Sequence, residues 1–461
     1  MKYISTRSQS PELDFEQAAT CGLAPDGGLY VPAEWPKFDH HELESLIGKS
    51  YCEVVLEVLR KFAGDSVPRD QLNQIVTDAY SSFSHPEIAP IREIRPGVYM
   101  MELFHGPTLS FKDYALQFLG RVMDWSLRKR GEHLTVVGAT SGDTGSAAIS
   151  AVAGRDTIDL YMLHPFQRVS KMQRRQMTTN QDSNIFNYAV NGTFDDCQAI
   201  VKTIFSDHEV QRHHALGAVN SINWGRISAQ VAYYFYAALK IGALNTKVSF
   251  AVPTGNFGNV FAAWTASKMG LPMGKLLVCS NANDILTRFF ESGEMTKLGV
   301  KQTVTPSMDI EVSSNFERYL FELYDRDGDR VDSLMQNQTK TGKFKIEGDK
   351  LMQSREHFSA YRVNDEQTCE TIAQHYSETG EIIDPHSAVA LNAVNQAESG
   401  LEPPVVVVAT AHPAKFPETI ERTLNTEIPM PKQLQEIIDL PERYRRISSN
   451  PEDLKTLMLA S

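Results

Sequence analysis

A chain of 461 residues with 42% hydrophobic and 22% charged positions has room for two or three cores and the composition of a globular protein. Its 45 basic residues against 57 acidic ones leave a formal charge of −12, which excludes sequence-independent binding to nucleic acid or to an anionic membrane surface. The five cysteines, Cys21, Cys52, Cys197, Cys279 and Cys369, contain no C-x-x-C pair; a disulfide framework and a structural zinc site are excluded, and a reducing compartment is expected.

The opening "MKYISTRSQSPELDFEQ" has no apolar stretch and turns acidic early, so no secretory signal is expected and the location expected is cytoplasmic. Up to about Arg95 the text is mixed, with helical patterns near His40–Phe62 and Arg69–Phe83. "VYMMELF" then reads as a strand. In "HGPTLSFKDYALQFLGRVM" the apolar Phe111, Ala115, Phe118, Leu119, Val122 and Met123 recur at steps of three and four, one face of a helix, with Thr108 and Ser110 as candidate N-caps. That puts Lys112 in or beside the first turn, where the helix dipole disfavours an ammonium group.

Further on, "LTVVGATSGDTGSAAISAVAG" is a strand, a loop of small residues and a helix, followed by the basic segment "QRVSKMQRRQM". "VSFAVPTGNFGNVFAAWTASKMG" repeats the strand–loop–helix design; Pro253, Gly255, Asn256, Gly258 and Asn259 break its uncharged run, so it is not a membrane span. Between Ser292 and Gln367 the chain becomes charged and rich in Gln, Asn and Lys, with weak strand signals, and reads as an insertion or subdomain. Its turn "DRDGDR" has Gly328 at the wrong offset and lacks the twelfth-position Glu of a calcium loop. "DPHSAVALNAV" begins a helix with Asp384 as cap and Pro385 in the first turn, which leaves His386 a structural residue. "PPVVVVATAHPAKF" is a buried strand of valines ending in a loop. Strands alternating with helices imply largely parallel sheets flanked by helices, with ligands beyond the carboxyl ends of the strands.

Two of those loops suit anions. "GNFGN", Gly255 to Asn259, directs backbone N–H groups to the positive end of a helix, a cradle for phosphate, and Asn256 and Asn259 add side-chain donors. It is neither G-x-x-x-x-G-K-[ST] nor G-x-G-x-x-G, so nucleotide fingerprints are absent. "SGDTGSAA" shares the architecture, although Ser, Asp and Thr also serve as ordinary caps. A lysine that resists protonation is a nucleophile toward aldehydes. Lys112 for an aldehyde and "GNFGN" for a phosphate are the two handles of pyridoxal 5'-phosphate. No H-E-x-x-H or G-x-S-x-G occurs, and the pairs His40–His41 and His213–His214 cannot face one metal, so no metal is expected.

The segments "GPTLSFKD", "ATSGDTGSAA", "NSINW", "PTGNFGN", "DPHSAVA" and "ATAHPAKFPE" resemble, in this order, those of threonine synthases, fold type II pyridoxal-phosphate enzymes akin to tryptophan synthase β chains; "APDGGLYVP" resembles that family's opening. The resemblance runs from about Tyr3 to Glu418. It implies an α/β fold of two open, largely parallel sheets flanked by helices, with the cofactor in the cleft between domains. The division expected is an N-terminal segment over 1–95, a smaller domain over 96–215 with the lysine and substrate loop, and a larger domain over 216–461 with the phosphate loop and the insertion at about 292–367.

By position, the resemblance implies Lys112 as the Schiff-base lysine and catalytic base. It implies Gly255, Asn256, Phe257, Gly258 and Asn259 as the cup for the cofactor phosphate, and Thr410 as the hydroxyl at its pyridine nitrogen. Ser141, Gly142, Asp143, Thr144 and Gly145 are implied as the substrate loop, with Asn220, Ser221, Asn223 and Arg226 lining the same cleft. The reaction implied is a carbon–oxygen lyase step, O-phospho-L-homoserine and water giving L-threonine and phosphate, the last step of threonine biosynthesis, in a monomer or homodimer. Phosphate leaving Cγ needs a second anion site; "SGDTGS" and the basic Arg168, Lys171, Arg174 and Arg175 are the candidates. A phospho-lyase on the same fold, releasing a 2-oxo acid, is the alternative.

Overall fold

The computed structural model describes residues 1–397 and 400–460. In the N-terminal segment β1 (Tyr3–Ser5) and β2 (Tyr30–Pro32) pair antiparallel, followed by helices His40–Leu46, Tyr51–Ala63 and Arg69–Tyr80. The pattern over His40–Phe62 is two helices. Gly48 takes a φ of +77°, and Ser50 restarts the chain as an N-cap in a reciprocal box with Glu53.

β3 (Ile91–Arg95) and β4 (Val98–Glu102) lead into the helix Lys112–Arg130. Next come β5 (Leu134–Ala139), β6 (Ile158–Pro165), β7 (Ile185–Val190) and the short β8 (Leu216–Gly217). After the helix Trp224–Ile241 the chain forms β9 (Val248–Pro253) and β10 (Met273–Ser280). β11 (Glu294–Thr296) and β12 (Lys343–Lys345) make a small antiparallel pair, and β13 (Phe358–Arg362), β14 (Val405–Ala409) and β15 (Arg445–Ile447) follow.

The strands sort into two main sheets. One is six-stranded in the order β13-β10-β9-β14-β4-β3, parallel except for β3; the other is five-stranded in the order β15-β7-β6-β5-β8 and wholly parallel. This is the α/β architecture expected, but the sheets cut the chain differently from 96–215 and 216–461. The valine strand β14 is buried at every position and takes β4 and β9 as neighbours. Lys112 therefore follows a strand of the six-stranded sheet, and β15 returns to the five-stranded one. The helix Trp224–Ile241 is buried along nearly its whole circumference, packed on Tyr51–Ala63, Lys112–Arg130 and the helix Gly258–Lys268.

The segment expected as an insertion is mostly helical, with Phe316–Leu323, Gly328–Thr341 and Gly348–His357, and it supplies the edge strand β13. Asp327 of "DRDGDR" caps a helix by accepting the Arg330 N–H at 2.9 Å. Arg318 ties this segment to the rest. Fully buried, it donates to the carbonyls of Tyr30 at 3.0 Å and Ile222 at 2.6 Å and to the Asn315 side chain, and it lies 5.6 Å from the Trp224 ring. Arg318→Ala strands these acceptors in the interior and is expected to cost more than about 3 kcal/mol, read as a lowered denaturant midpoint; a change within about 0.5 kcal/mol contradicts the role given to Arg318.

Candidate functional site

Four loops meet beyond the carboxyl ends of β4, β5, β9 and β14. Lys112 opens its helix with Phe111 as N-cap residue and without a side-chain cap. Of the two expected caps, Ser110 reaches the Lys112 N–H only at 3.5 Å. Thr108 works in the other direction, donating its hydroxyl and N–H to the Asp113 carboxylate at 2.7 and 2.8 Å. The Phe111 N–H donates to the Thr410 carbonyl at 2.8 Å, which fixes the end of β14 beside the lysine.

The Lys112 ammonium is buried, 3.2 Å from Asp143 Oδ2 and 3.5 Å from Ser307 Oγ. Burial is the main force holding its pKa below the ordinary lysine value; Lys415 and Arg226 push the same way, while Asp143 opposes them. Burial and two neighbouring cations thus act in the direction inferred from the helix start. Burial alone would raise the Asp143 carboxyl, yet Lys415 at 2.9 Å, Lys112 and the Gln173 amide at 2.8 Å hold it well below the usual carboxylate range. Neither Lys415, Gln173 nor Ser307 was singled out from sequence. Lys415 stands in "AHPAKF", just past a buried strand's carboxyl end, and that position was the available signal.

The substrate loop divides by exposure. Ser141 is exposed and Thr144 half-buried, whereas the Asp143 side chain is committed to the two lysines. The N–H groups of Gly142 and Gly145 donate to the Thr140 hydroxyl at 3.0 and 2.9 Å, so they are not free donors for an anion. Gly142 has a φ of +145°, and a Cβ there would fall 2.5 Å from the Gln173 side chain.

In "GNFGN" the backbone turns through Phe257 at a φ of +61° before the helix Gly258–Lys268 begins. The Phe257 ring is core, 4.9 Å from Phe316 and 5.6 Å from Phe358 between centroids. Asn256 is not the side-chain donor expected: its amide donates to Ser221 Oγ and accepts the Ser314 N–H at 2.6 Å, bracing the loop and occupying Ser221. Asn259 does keep a donor. Tyr233 and Tyr234 hydroxyls take its Oδ1, and its buried Nδ2 has no partner.

The segment 305–315 clamps this loop. Ser313 donates to the Gly255 carbonyl at 2.6 Å, and Asn315 Nδ2 donates to the carbonyls of Asn256 and Ser221, each at 3.1 Å. A Cβ on Gly255 would sit 3.1 Å from Met308 Cα, and one on Gly258 would sit 3.1 Å from Asn315 Nδ2. The glycines thus admit the clamp.

Arg226 is buried on the first turn of the helix Trp224–Ile241, and its Nε and Nη1 have no partner. Asn220 Oδ1 is likewise unpartnered. Asn223 is an N-cap, accepting from Gly225 and donating to the Ala19 carbonyl, and does not serve the cleft. Of the basic candidates after β6, two are engaged elsewhere and two lie on the surface. Arg174 and Arg175 pair with Glu442, and Arg168 and Lys171 are exposed. His386 is buried against its cap Asp384, as expected. The buried Arg226 guanidinium keeps donors for an anion, and the buried Asn259 amide, at a helix start that Gly258 opens, fits a phosphate monoester. Lys112 fits the aldehyde of the same molecule.

The family model "Pyridoxal-phosphate dependent enzyme" matches residues 86–411, and the chain belongs to this class. The models "Threonine synthase N terminus" and "Threonine synthase, C-terminal" match residues 2–80 and 387–458. The threonine synthase of Pseudomonas aeruginosa is 47% identical over 98% of this chain and 96% of its own, and that of Saccharomyces cerevisiae is 39% identical over 98% and 94%. The crystal structure of PLP-bound threonine synthase from Brucella melitensis superposes with a TM-score of 0.96 at 45% identity, covering 99% of this chain and 98% of that one. Within the class, the chain belongs to the threonine synthase family.

Gly258→Val is expected to displace Asn315 and close the approach to the loop, weakening cofactor affinity at least about tenfold in a titration followed by absorbance. Unchanged affinity would remove the loop from the cofactor site.

Proposed function

We propose that this protein converts O-phospho-L-homoserine and water into L-threonine and phosphate with pyridoxal 5'-phosphate as cofactor. The observation that carries the reading is electrostatic. Lys112 and Lys415 flank one carboxylate, Asp143, and Arg226, whose charge is felt by Lys112, keeps two buried nitrogens without partners. So positive a cleft suits a cofactor and a substrate that both bear phosphate. Lys112 and the loop Gly255–Asn259 hold the cofactor through its aldehyde and its phosphate, with the Thr410 hydroxyl at the pyridine nitrogen. The donors in the phosphate cup are the backbone from Gly255 to Asn259 and the Asn259 amide, while Asn256 and Phe257 hold its shape.

Bound pyridoxal phosphate supplies the sink for electrons left when carbon loses a proton. Lys112 Nζ, released by the substrate amine, takes the Cα proton, and the burial that disfavours its ammonium favours the neutral, basic amine this step needs. Ser141, Thr144 and Asn220 orient the substrate, and Arg226 faces its phosphate until the Cγ–O bond breaks. A Cβ proton leaves as phosphate departs from Cγ, a proton completes the Cγ methyl, water adds its hydroxyl at Cβ, and a proton returns to Cα. The substrate is a small molecule, and no helix among the described residues is long and apolar enough to cross a membrane. A cytoplasmic monomer or homodimer agrees with that.

The test is stoichiometric release of phosphate from O-phospho-L-homoserine together with L-threonine; a 2-oxo acid in its place establishes the phospho-lyase instead. Lys112→Ala should fold with an unchanged far-UV spectrum and lose turnover by at least about a thousandfold, and near-normal turnover contradicts the assignment. Thr144→Val should keep cofactor affinity while kcat/KM falls roughly tenfold or more, the loss expected when a partner of a charged group is deleted. Loss of cofactor with intact kcat/KM would reverse the roles of the two loops.

A further inference from the structure

The Asp143 carboxylate has two cationic partners, although one lysine would neutralise it. Oδ1 accepts from Lys415 at 2.9 Å and from Gln173 at 2.8 Å, while Oδ2 faces Lys112 and Ser307, each at 3.2 Å. Lys415 is the more deeply buried lysine, with no exposed surface, and donates also to the Thr108 carbonyl at 2.6 Å. Thr108 is immobilised in turn by Asp113, which receives its hydroxyl and N–H. Lys415 is therefore a fixed cation, and Lys112 is the partner at the longer distance.

We propose that Lys415 is a positioning residue that fixes the place and the proton occupancy of the Lys112 amine through the Asp143 carboxylate they share. A buried carboxylate alone with Lys112 would pin an ammonium there and suppress the nucleophile. With Lys415 on the other oxygen, Asp143 stays anionic when Lys112 turns away, so it neither takes the proton nor loses its counter-ion. The groups around Lys112 are Asp143 from the helix Asp143–Val152, Lys415 from the turn after β14, Arg226 from the helix Trp224–Ile241, the Ser307 hydroxyl and the Phe111 ring. Those around Lys415 are Asp143, Asp113 and His412. The two carboxylates and the two other cations fix the sign. Removing Lys415 takes away a repelling charge and leaves Asp143 to Lys112, which favours the ammonium.

The inference rests on the reading of Lys112 as the cofactor lysine, and one experiment tests both. The full-length chain is resolved from its cofactor and mixed with pyridoxal phosphate across a pH series, and the rate of capture is followed by absorbance. Capture requires the neutral amine, which adds to the aldehyde carbon as water leaves, so the rate rises with pH and its midpoint reports Lys112. Borohydride then fixes the adduct for peptide mapping. Lys415→Gln, which can still donate to Thr108, is expected to raise the midpoint by about one pH unit and slow capture at neutral pH about tenfold, whereas Lys415→Arg stays near the parent. Asp143→Asn should move the midpoint down, and this carries the test if the first variant does not fold. A residue that only supports the fold would lower the yield of capture and leave the midpoint in place. Adduct on Lys112 with unmoved midpoints, or Lys415→Arg behaving like Lys415→Gln, overturns the proposal alone. Adduct on Lys415 or Lys171 overturns the reading of the site together with it.

Discussion

One carboxylate joins the two halves of the molecule. Asp143 stands at the start of a helix that follows a strand of the five-stranded sheet, and both of its ammonium partners follow strands of the six-stranded sheet. In a buried environment such a contact is all or nothing. Its attraction offsets the desolvation of three charges only while the geometry is kept, and losing one partner typically costs about 3–5 kcal/mol. The ion pair therefore fixes the place of the Lys112 amine, on top of the apolar packing between the helices Lys112–Arg130 and Asp143–Val152. The loop bearing Ser141 and Thr144 inherits its distance from the lysine through the same contact.

The second constraint lies on the opposite wall. Phe257 carries a left-handed backbone, a strain of about 1–3 kcal/mol for a side chain with a Cβ. Its ring is fixed among Phe316, Tyr319 and Phe358, and the hydrogen bonds from Ser313, Ser314 and Asn315 complete the brace. The shape of the phosphate loop is thus imposed from the segment that looked most peripheral in the sequence. Arg318 relays that brace to the N-terminal strand β2 through the Tyr30 carbonyl.

Much of this was legible in the text of the chain, for identifiable reasons. β5, β9 and β14 are short apolar runs that lead into small or polar residues, and Lys112 opens the helix after β4; local pattern suffices for these. The roles of Asp143, Asn256 and Ser221 were not legible, because each is decided by a partner distant in sequence: Lys415 for the first, Ser314 for the second, Asn256 for the third. Arg174 and Arg175 looked available for an anion because Glu442, which engages both, lies far along the chain. The sheet that β4 and β15 each enter was not legible for a related reason. Pairing of β4 with β14 leaves no mark on either strand beyond burial, and sequence order says nothing of which sheet a parallel strand will enter.

The return of β15 to the edge of the five-stranded sheet has a consequence for how the molecule is made. That sheet begins at β5, early in the chain, yet its outer position beside β7 is filled by residues 445–447, and the helix Pro451–Leu459 covers the same side. During synthesis β7 emerges with an edge that stays open until residues 445–447 have followed it. Lys415 and Glu442 arrive just before them, so neither the charge pattern of the cleft nor the tie on Arg174 and Arg175 exists on a nascent chain. The charge pattern of the site waits on residues made long after Lys112 and Asp143.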